Sequence, residues 1–262
     1  MKILSKNVIK TYIIVAIIML ICIVEFLFNT TILKDEPYNA FNFWSYVRSV
    51  KIGEVFMFMT PIFVSLLATK DFFNNIRTGN FKKFIVKEGY KKYIIKNISE
   101  SYIKAIILLP LISLMTFGIG VFLYGVDFSV SSDNHNLVTR FVSIMNPVTF
   151  VCLYTGAVAV FSLIITNISL ILTRFLDKFY LVLVGTFVSF NALNFITTII
   201  FKSILKNKSL NDINLYYLYT PRTMFQDSMI INISCGIVFL VATSILVFIV
   251  YRSKEKMVLN IE

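Results

Sequence analysis

Six long apolar stretches dominate the sequence and leave few ways in which the chain can fold. A helix needs about 20 mostly apolar residues to cross the hydrocarbon core of a bilayer. The stretches that approach or meet this length lie at residues 11–32, 52–69, 102–124, 147–172, 179–201 and 230–251. We therefore predict an all-α integral membrane protein with six transmembrane helices, organised as a single transmembrane domain over residues 1–262.

The composition of the chain excludes a soluble globular protein. Hydrophobic residues make up 57% of the 262 residues and only 15% are charged, so a soluble domain would lack the polar residues to cover its surface. In a soluble chain, the formal net charge of +11 would suggest nucleic-acid binding. In a membrane protein, lysine and arginine accumulate on the cytoplasmic side instead, and we expect no nucleic-acid partner.

The distribution of lysine and arginine predicts the orientation in the membrane. An even number of spans places both termini on the same side. Of the 25 lysines and arginines, 16 fall in the two terminal tails, in segment 70–100 and in the short connection between the fourth and fifth spans, against 8 in the other loops. The positive-inside rule therefore places both termini and segment 70–100 in the cytoplasm.

Segment 70–100 is basic, but apolar residues are threaded through it at intervals of three and four. This spacing is typical of short amphipathic helices. A loop that only carried charge would not need the aromatic residues found here, which are Phe72, Phe73, Phe81, Phe84, Tyr90 and Tyr93. We interpret the segment as a cytoplasmic helix pair that presents an apolar face to a protein partner or to the membrane surface. A basic loop lying on anionic lipid is the alternative.

Carboxylates and amides within the spans are candidates for a transport pathway. A carboxylate near the bilayer centre costs about 2.5 to 3.5 kcal/mol on insertion scales. Glu25 lies in the outer half of the first span and Glu54 near the outer end of the second, so both could face a cavity open to the outside. Asn191 and Asn194 place two amides on one face of the fifth helix. Alternatively, Glu25 pairs with Lys51 or Arg48 near the interface and the asparagines join helices by hydrogen bonds.

No motif for catalysis or metal binding is visible in the sequence. It contains no GxxxxGK[ST], HExxH or GxSxG pattern, so we do not expect this chain to hydrolyse ATP, peptides or esters. A membrane-embedded metalloprotease would need at least two histidines inside the bundle, and the single histidine, His135, lies in an outer loop. We therefore predict no catalytic residues and no metal site.

Aromatic residues cluster in two of the outer loops. They are Tyr38, Phe41, Phe43, Trp44 and Tyr46 in the first loop, and Tyr216, Tyr217 and Tyr219 in the third. Tryptophan and tyrosine rings are enriched at the level of the lipid headgroups. We therefore interpret these residues as anchors at the membrane surface or as parts of short helices lying at the level of the headgroups.

The segment between the second and third spans carries a recognisable pattern. An acidic residue ends the second helix, a glycine and a hydrophobic pair follow, and a second glycine, a basic residue and a tyrosine precede a lysine. The residues are Asp71, Gly79, Lys82, Lys83, Phe84, Ile85, Gly89, Lys92, Tyr93 and Lys96. Together with six spans and cytoplasmic termini, this pattern resembles the permease subunits of type-2 ATP-binding-cassette exporters. The segment YLYTPRTMF before the sixth span also resembles the outer segment that precedes the last helix of these permeases.

The resemblance implies a complex with a defined set of partners. Two permeases, identical or paralogous, would assemble with a cytoplasmic ATPase dimer that holds ATP and Mg, and the loop between the second and third spans would be a coupling helix docked in the ATPase. The residues implied to dock are Phe81, Lys82, Lys83, Phe84 and Ile85, with Arg174 and Asp177 as a second, smaller contact.

The resemblance also implies a class of substrate. Small permeases rich in Ile, Lys, Asn and Phe resemble those with which low-GC Gram-positive bacteria export antimicrobial peptides or gain immunity to them. It therefore implies a multi-pass subunit of a bacterial cell membrane that forms a pathway for an amphipathic or antimicrobial peptide and carries no cofactor of its own. The alternative is a non-transporting membrane sensor or assembly subunit that uses the same basic loop to anchor a partner or lipid.

Overall fold

Helices make up the described part of the chain, and no strand occurs within it. The computed structural model describes residues 51–125, 147–205, 215–218 and 229–252, together with positions 9, 13–14, 16–17, 20–21, 23–24, 40, 43–44 and 47. In chain order the helices are α1 Lys51–Arg77, α2 Asn80–Glu88, α3 Tyr90–Tyr124, α4 Pro147–Phe175, α5 Phe179–Leu205 and α6 Met229–Arg252. A short 3-10 helix, η1 Leu215–Leu218, lies between α5 and α6.

Five of the six predicted spans are confirmed as helices long and apolar enough to cross a membrane. The qualifying stretches are Gly53–Arg77, Tyr90–Tyr124, Val151–Phe175, Phe179–Ile200 and Asn232–Arg252. Such a set of helices is consistent with a multi-pass membrane protein. Most of the first predicted span, 11–32, lies outside the described residues, although its described positions up to residue 24 are helical. The first span, and with it the total of six, therefore stays a prediction, as does the orientation of the termini.

Helix α4 is the centre of the bundle. It packs against α1, α3, α5, α6 and η1, and it is the most buried of the five long apolar helices. Tyr154, Phe161, Ile164 and Ile165 along α4 are fully buried in the main core. Lipid tails are as apolar as these side chains, so close packing and hydrogen bonds, rather than escape from water, hold such helices together.

Two groups of polar side chains join α4 to its neighbours inside the bundle. On one side, the Ser169 hydroxyl lies 2.6 Å from that of Ser65 and 2.8 Å from that of Thr69, both on α1. On the other side, Asn167 of α4 accepts a hydrogen bond from Tyr102 of α3. The Asn167 amide also donates to Thr243 of α6. Because these groups are buried, each would be costly to leave without a partner.

Helices α5 and α6 contribute mostly exposed apolar surface. Only about one sixth of the apolar stretch of each is buried within the chain, at 17%. Exposed side chains on these helices include Val184, Val188, Val241 and Phe248. Two such faces are suited to contact with lipid or with another membrane subunit.

Candidate functional site

The short helix α2 is set off from its neighbours by two glycines. Gly79 precedes it with φ +70° and Gly89 follows it with φ +82°. Residues other than glycine rarely adopt such φ angles. The Gly89 N–H donates to Ile85 O at 2.9 Å, and Gly89 O accepts from the Tyr93 N–H at 3.1 Å. Gly89 therefore ends α2 and starts α3 within a single residue. These turns fold the amphipathic segment back onto the ends of the longer helices.

The inner face of α2 packs into a second core, which we call the α2-side cluster. Phe81 is only 1% exposed and anchors α2 there. The cluster also contains residues from α1, α3, α4 and α6, namely Phe72, Ile76, Tyr93, Ile94, Leu170, Val247 and Tyr251. Phe81, which the resemblance assigns to docking, therefore faces the chain's own interior. Its aromatic ring ties α2 to a cluster in which four other helices take part.

The outer face of α2 carries apolar side chains among lysines. Phe84 is 43% exposed and its ring lies parallel to that of Tyr93, with centroids 6.0 Å apart. Val86 is 89% exposed, Lys82 and Lys87 are exposed, and Ile85 is half-buried. The side chain of Lys83 lies outside the described residues. Sequence analysis missed Val86, although an aliphatic residue on the polar side of an amphipathic helix is a signal that could have found it.

The two residues that the resemblance assigns to the second contact differ in their exposure to solvent. Asp177, in the α4–α5 connection, has an 82% exposed side chain and forms an ion pair with Arg77 Nη1 at 3.0 Å. Arg77 Nη2 also donates to Leu176 O at 2.7 Å, so the last turn of α1 clamps this connection. Arg174 is only 8% exposed. Of this pair, only Asp177 is available at the surface.

Three comparisons with known proteins found no match. No protein-family model, curated protein or solved structure matches the chain. The role of α2 and of the other candidate residues therefore has to be argued from their own chemistry and surroundings.

The asparagines proposed for the pathway bind the 3-10 helix η1. Asn194 Oδ1 accepts a hydrogen bond from the Leu215 N–H at 2.8 Å, and Asn191 Oδ1 accepts from the Tyr216 hydroxyl at 3.1 Å. The Asn191 amide nitrogen donates to Phe187 O at 2.8 Å. Burial raises the pKa of Tyr216 to about 12, although its hydrogen bond with Asn191 acts against this shift. The phenol therefore stays protonated and able to donate at neutral pH, and both amides join elements of the bundle.

The two pathway carboxylates are not brought together by described contacts. Glu54 is exposed in the first turn of α1, at the opposite end of that helix from α2. Glu25 lies outside the described residues. Among the residues that are described, no group of three histidine, cysteine or acidic side chains could hold a metal ion.

The prediction of surface anchors is wrong for three aromatic residues. Phe43 and Trp44 are fully buried and Tyr216 is nearly so, all within the main core. Trp44 Nε1 donates to Ser113 O at 3.0 Å, and its ring meets that of Tyr154 edge to face. Aromatic rings can fill a helix bundle as well as a headgroup layer, and here their polar atoms find partners inside. These side chains close the end of the bundle opposite α2.

Two cavities lie between helices. One, of about 380 Å³, separates α1 from α3 and is lined by polar groups that include Asn74, Glu100 and the ion pair between Lys104 Nζ and Asp71 Oδ2, at 2.9 Å. The other, of about 430 Å³, is apolar and lies between α4, η1 and α6, beside Gly156. The lining of the first cavity suits a polar group, whereas the lining of the second suits an apolar chain.

Proposed function

We propose that the chain is the membrane-spanning permease subunit of an ATP-driven exporter of the ATP-binding-cassette class, in a bacterial cell membrane. In this proposal six helices cross the membrane, and both termini and α2 are cytoplasmic. One observation carries the proposal: a nine-residue amphipathic helix between two long apolar helices has one face in the bundle core and the other exposed. The exposed face, with Val86 among lysines and Phe84 at the border with the buried face, suits a groove in a partner protein.

Mechanical coupling between α2 and the bundle supports this role. Phe81 packs in a cluster that includes side chains of α1, α3, α4 and α6. Closely packed interiors transmit displacement because they have few voids to absorb it. A push on the outer face of α2 would therefore reach four helices at once. The two positive-φ glycines fix the turns on either side of α2.

Energy for transport would come from a cytoplasmic ATPase dimer. ATP and Mg belong to that partner, and α2 would be the coupling helix that docks in it. Asp177, held in place by Arg77, would supply the second contact. A second permease, identical or paralogous, would pack on an exposed apolar helix face, with lipid covering the rest.

The substrate we propose is an amphipathic, cationic peptide such as an antimicrobial peptide. Such a peptide requires negative charge where its cationic side chains pass and apolar surface beside it. Glu54 is exposed at the end of α1 away from α2, and Glu25 is predicted at a similar depth. Asn191 and Asn194 are less suited to substrate contact because η1 already occupies both of their amide oxygens.

Affinity purification of the full-length protein from membranes of the bacterium that encodes it tests the proposal. The intact protein should carry an ATPase whose ATP hydrolysis can be measured in the eluate. The double variant Phe84→Ser, Val86→Ser should insert normally and lose most of that ATPase, since apolar anchors dominate such interfaces. The matched control Phe84→Tyr, Val86→Ile keeps the apolar surface and should retain the partner.

The result also separates transport from the alternative role. Recovery of a partner without ATPase activity, bound through the same face of α2, would favour a sensor or assembly subunit. Retention of the full ATPase activity by the serine double variant would show that α2 does not dock it.

A further inference from the structure

Arg174 is a buried cation without a counter-charge among the residues that the structure describes. It lies in the last turn of α4 and is only 8% exposed. Its Nη2 atom is fully buried without a hydrogen-bond partner, and Arg174 makes no hydrogen bond or ion pair with any other described residue. Charged groups that are taken out of water are almost always paired, because an uncompensated charge in the interior is very costly.

The surroundings of Arg174 add donors and further positive charge. Its electrostatic partners come from three other helices: Arg77 of α1, Tyr90 of α3 and Tyr251 of α6. Arg77 Nη2 reaches Leu176 O, two residues beyond Arg174, while Arg77 Nε is buried and has no partner. The two arginines therefore lie at the same end of the bundle, and each has a buried guanidinium nitrogen without a partner. The one carboxylate that pairs with Arg77, on Asp177, is largely in solvent.

Another buried donor without a partner lies in the α2-side cluster. The hydroxyl of Tyr93 is buried without a hydrogen bond, and Tyr93 and Tyr251 interact electrostatically. The Tyr251 hydroxyl itself donates to Leu170 O at 2.8 Å. Buried guanidinium N–H groups without an acceptor, on two arginines at the same end of the bundle, are the arrangement expected around a missing anion.

Helix-end electrostatics alone does not explain Arg174. A cation in the last turn of a helix is stabilised by the partial negative charge of the helix C-terminus. That effect is largest when the side chain reaches the free carbonyl groups, as Arg77 reaches Leu176 O. The Arg174 guanidinium contacts no described carbonyl oxygen in this way.

We propose that Arg174 and Arg77 bind a phosphate group at this end of the bundle, supplied by an anionic phospholipid headgroup or by free phosphate. The planar guanidinium group donates two parallel hydrogen bonds to phosphate, which makes arginine the preferred residue for such sites. The location favours a lipid source. The apolar stretch Val151–Phe175 ends one residue after Arg174, and the neighbouring Phe175 and Tyr180 are exposed. Basic pockets between membrane helices on the cytoplasmic side are suited to anionic headgroups.

The full-length protein in lipid nanodiscs provides the test. Thermal unfolding is compared in three conditions. These are discs of zwitterionic phosphatidylcholine in buffer without inorganic phosphate, the same discs with inorganic phosphate, and discs that contain anionic phosphatidylglycerol. A ligand that binds only the folded protein raises its Tm. We expect the Tm to rise in at least one of the two anionic conditions. A rise with phosphatidylglycerol alone identifies a lipid site, and a rise with inorganic phosphate identifies a site for the free anion.

Substitution of Arg174 separates a binding site from general charge effects. Arg174→Met removes an uncompensated charge, so its Tm without anion should exceed that of the unchanged protein, and the response to anion should vanish. Arg174→Lys keeps the charge without the planar fork, and its affinity for the anion should fall by about tenfold. Arg252→Met removes an exposed arginine from the last turn of α6 and should leave the response unchanged.

Three outcomes would overturn the proposal. The first is a Tm of the unchanged protein that is the same in all three conditions. The second is an equal loss of response in Arg252→Met and Arg174→Met, which would indicate diffuse attraction of anions to a basic surface. The third is a Tm that rises when a cytoplasmic protein binds, but with neither phosphatidylglycerol nor inorganic phosphate. That result would assign the counter-charge of Arg174 to a carboxylate of that partner. If Arg174→Met fails to fold, the unchanged protein and Arg174→Lys still decide the question.

Discussion

The Tyr102 hydroxyl of α3 donates a 2.6 Å hydrogen bond to Asn167 Oδ1 of α4. The amide nitrogen of Asn167 donates in turn to Thr243 and Ser244 of α6, at 3.0 Å each. A single amide side chain therefore connects three helices that are far apart in sequence. In an apolar surrounding, such a side chain also selects the helix arrangement in which all its partners are present.

We predict that Asn167→Ala destabilises the protein by about 1 to 3 kcal/mol, because three hydrogen bonds between helices are lost. Reversible unfolding by SDS titration in mixed micelles measures this change. Asn74→Ala removes an amide at an exposed position of α1 and leaves no buried polar group without a partner. Its free energy of unfolding should lie within about 0.5 kcal/mol of that of the unchanged protein. Equal stabilities for the two variants would mean that Asn167 does not join the helices.

Much of the bundle could be predicted from the sequence because the helix positions depend on hydrophobicity alone. The five confirmed spans and the helical segment at Asn80–Glu88 follow from apolar length and from the spacing of aromatic residues. The glycines at positions 79 and 89 marked the ends of α2, since positive φ angles favour this residue.

The orientation of individual side chains could not be predicted in the same way. The pattern around Phe81 shows an amphipathic helix, but a sequence does not tell whether its apolar face meets its own bundle or a partner. Trp44 and Tyr216 matched the composition of interfacial anchors, yet they are buried because loop segments return into the core. No local sequence pattern indicated that Asn167 joins three helices, because its hydrogen-bond partners lie 65 to 77 positions away in the sequence.

The stability of the protein should be sensitive to a single added methyl group at the turns on either side of α2. Gly89→Ala places a Cβ at φ +82° and ψ 149°, where the surrounding space is open, so the expected loss of about 1 to 3 kcal/mol is backbone strain. Gly118→Ala, at a helical position with equally open surroundings, should be neutral or stabilising by up to about 1 kcal/mol. The same SDS titration compares them. A neutral Gly89→Ala would mean that this turn relaxes to another conformation.

Orientation in the membrane can be checked with single cysteines in a cysteine-free background. Val86→Cys and Asn134→Cys should react with a membrane-impermeant thiol reagent from opposite sides, because the charge distribution places α2 in the cytoplasm and the second outer loop outside. In intact cells, only Asn134→Cys should be labelled. Labelling of both cysteines under that condition would contradict the six-span topology.

The proposed pathway predicts a specific effect of charge at Glu25. Cells that express the exporter with its ATPase should tolerate more of a cationic antimicrobial peptide, and Glu25→Gln should reduce that protection without lowering the yield of the complex. If Glu25 only forms an interfacial ion pair, the substitution should be nearly neutral, since exposed pairs contribute about 0 to 1 kcal/mol. Glu54→Gln serves as a parallel test. Unchanged survival in both variants would remove the two carboxylates from the pathway.

Site-specific photocrosslinking can show whether the exposed side of α2 docks an ATPase. A photoreactive phenylalanine analogue is placed at Val86, which is 89% exposed, or at Phe81, which is 1% exposed, in the full-length protein in its own membranes. We predict that position 86 crosslinks to a cytoplasmic ATPase, identified by mass spectrometry, and that position 81 crosslinks only within the chain. Crosslinks from position 86 to lipid alone, in membranes shown to contain the ATPase, would contradict the account.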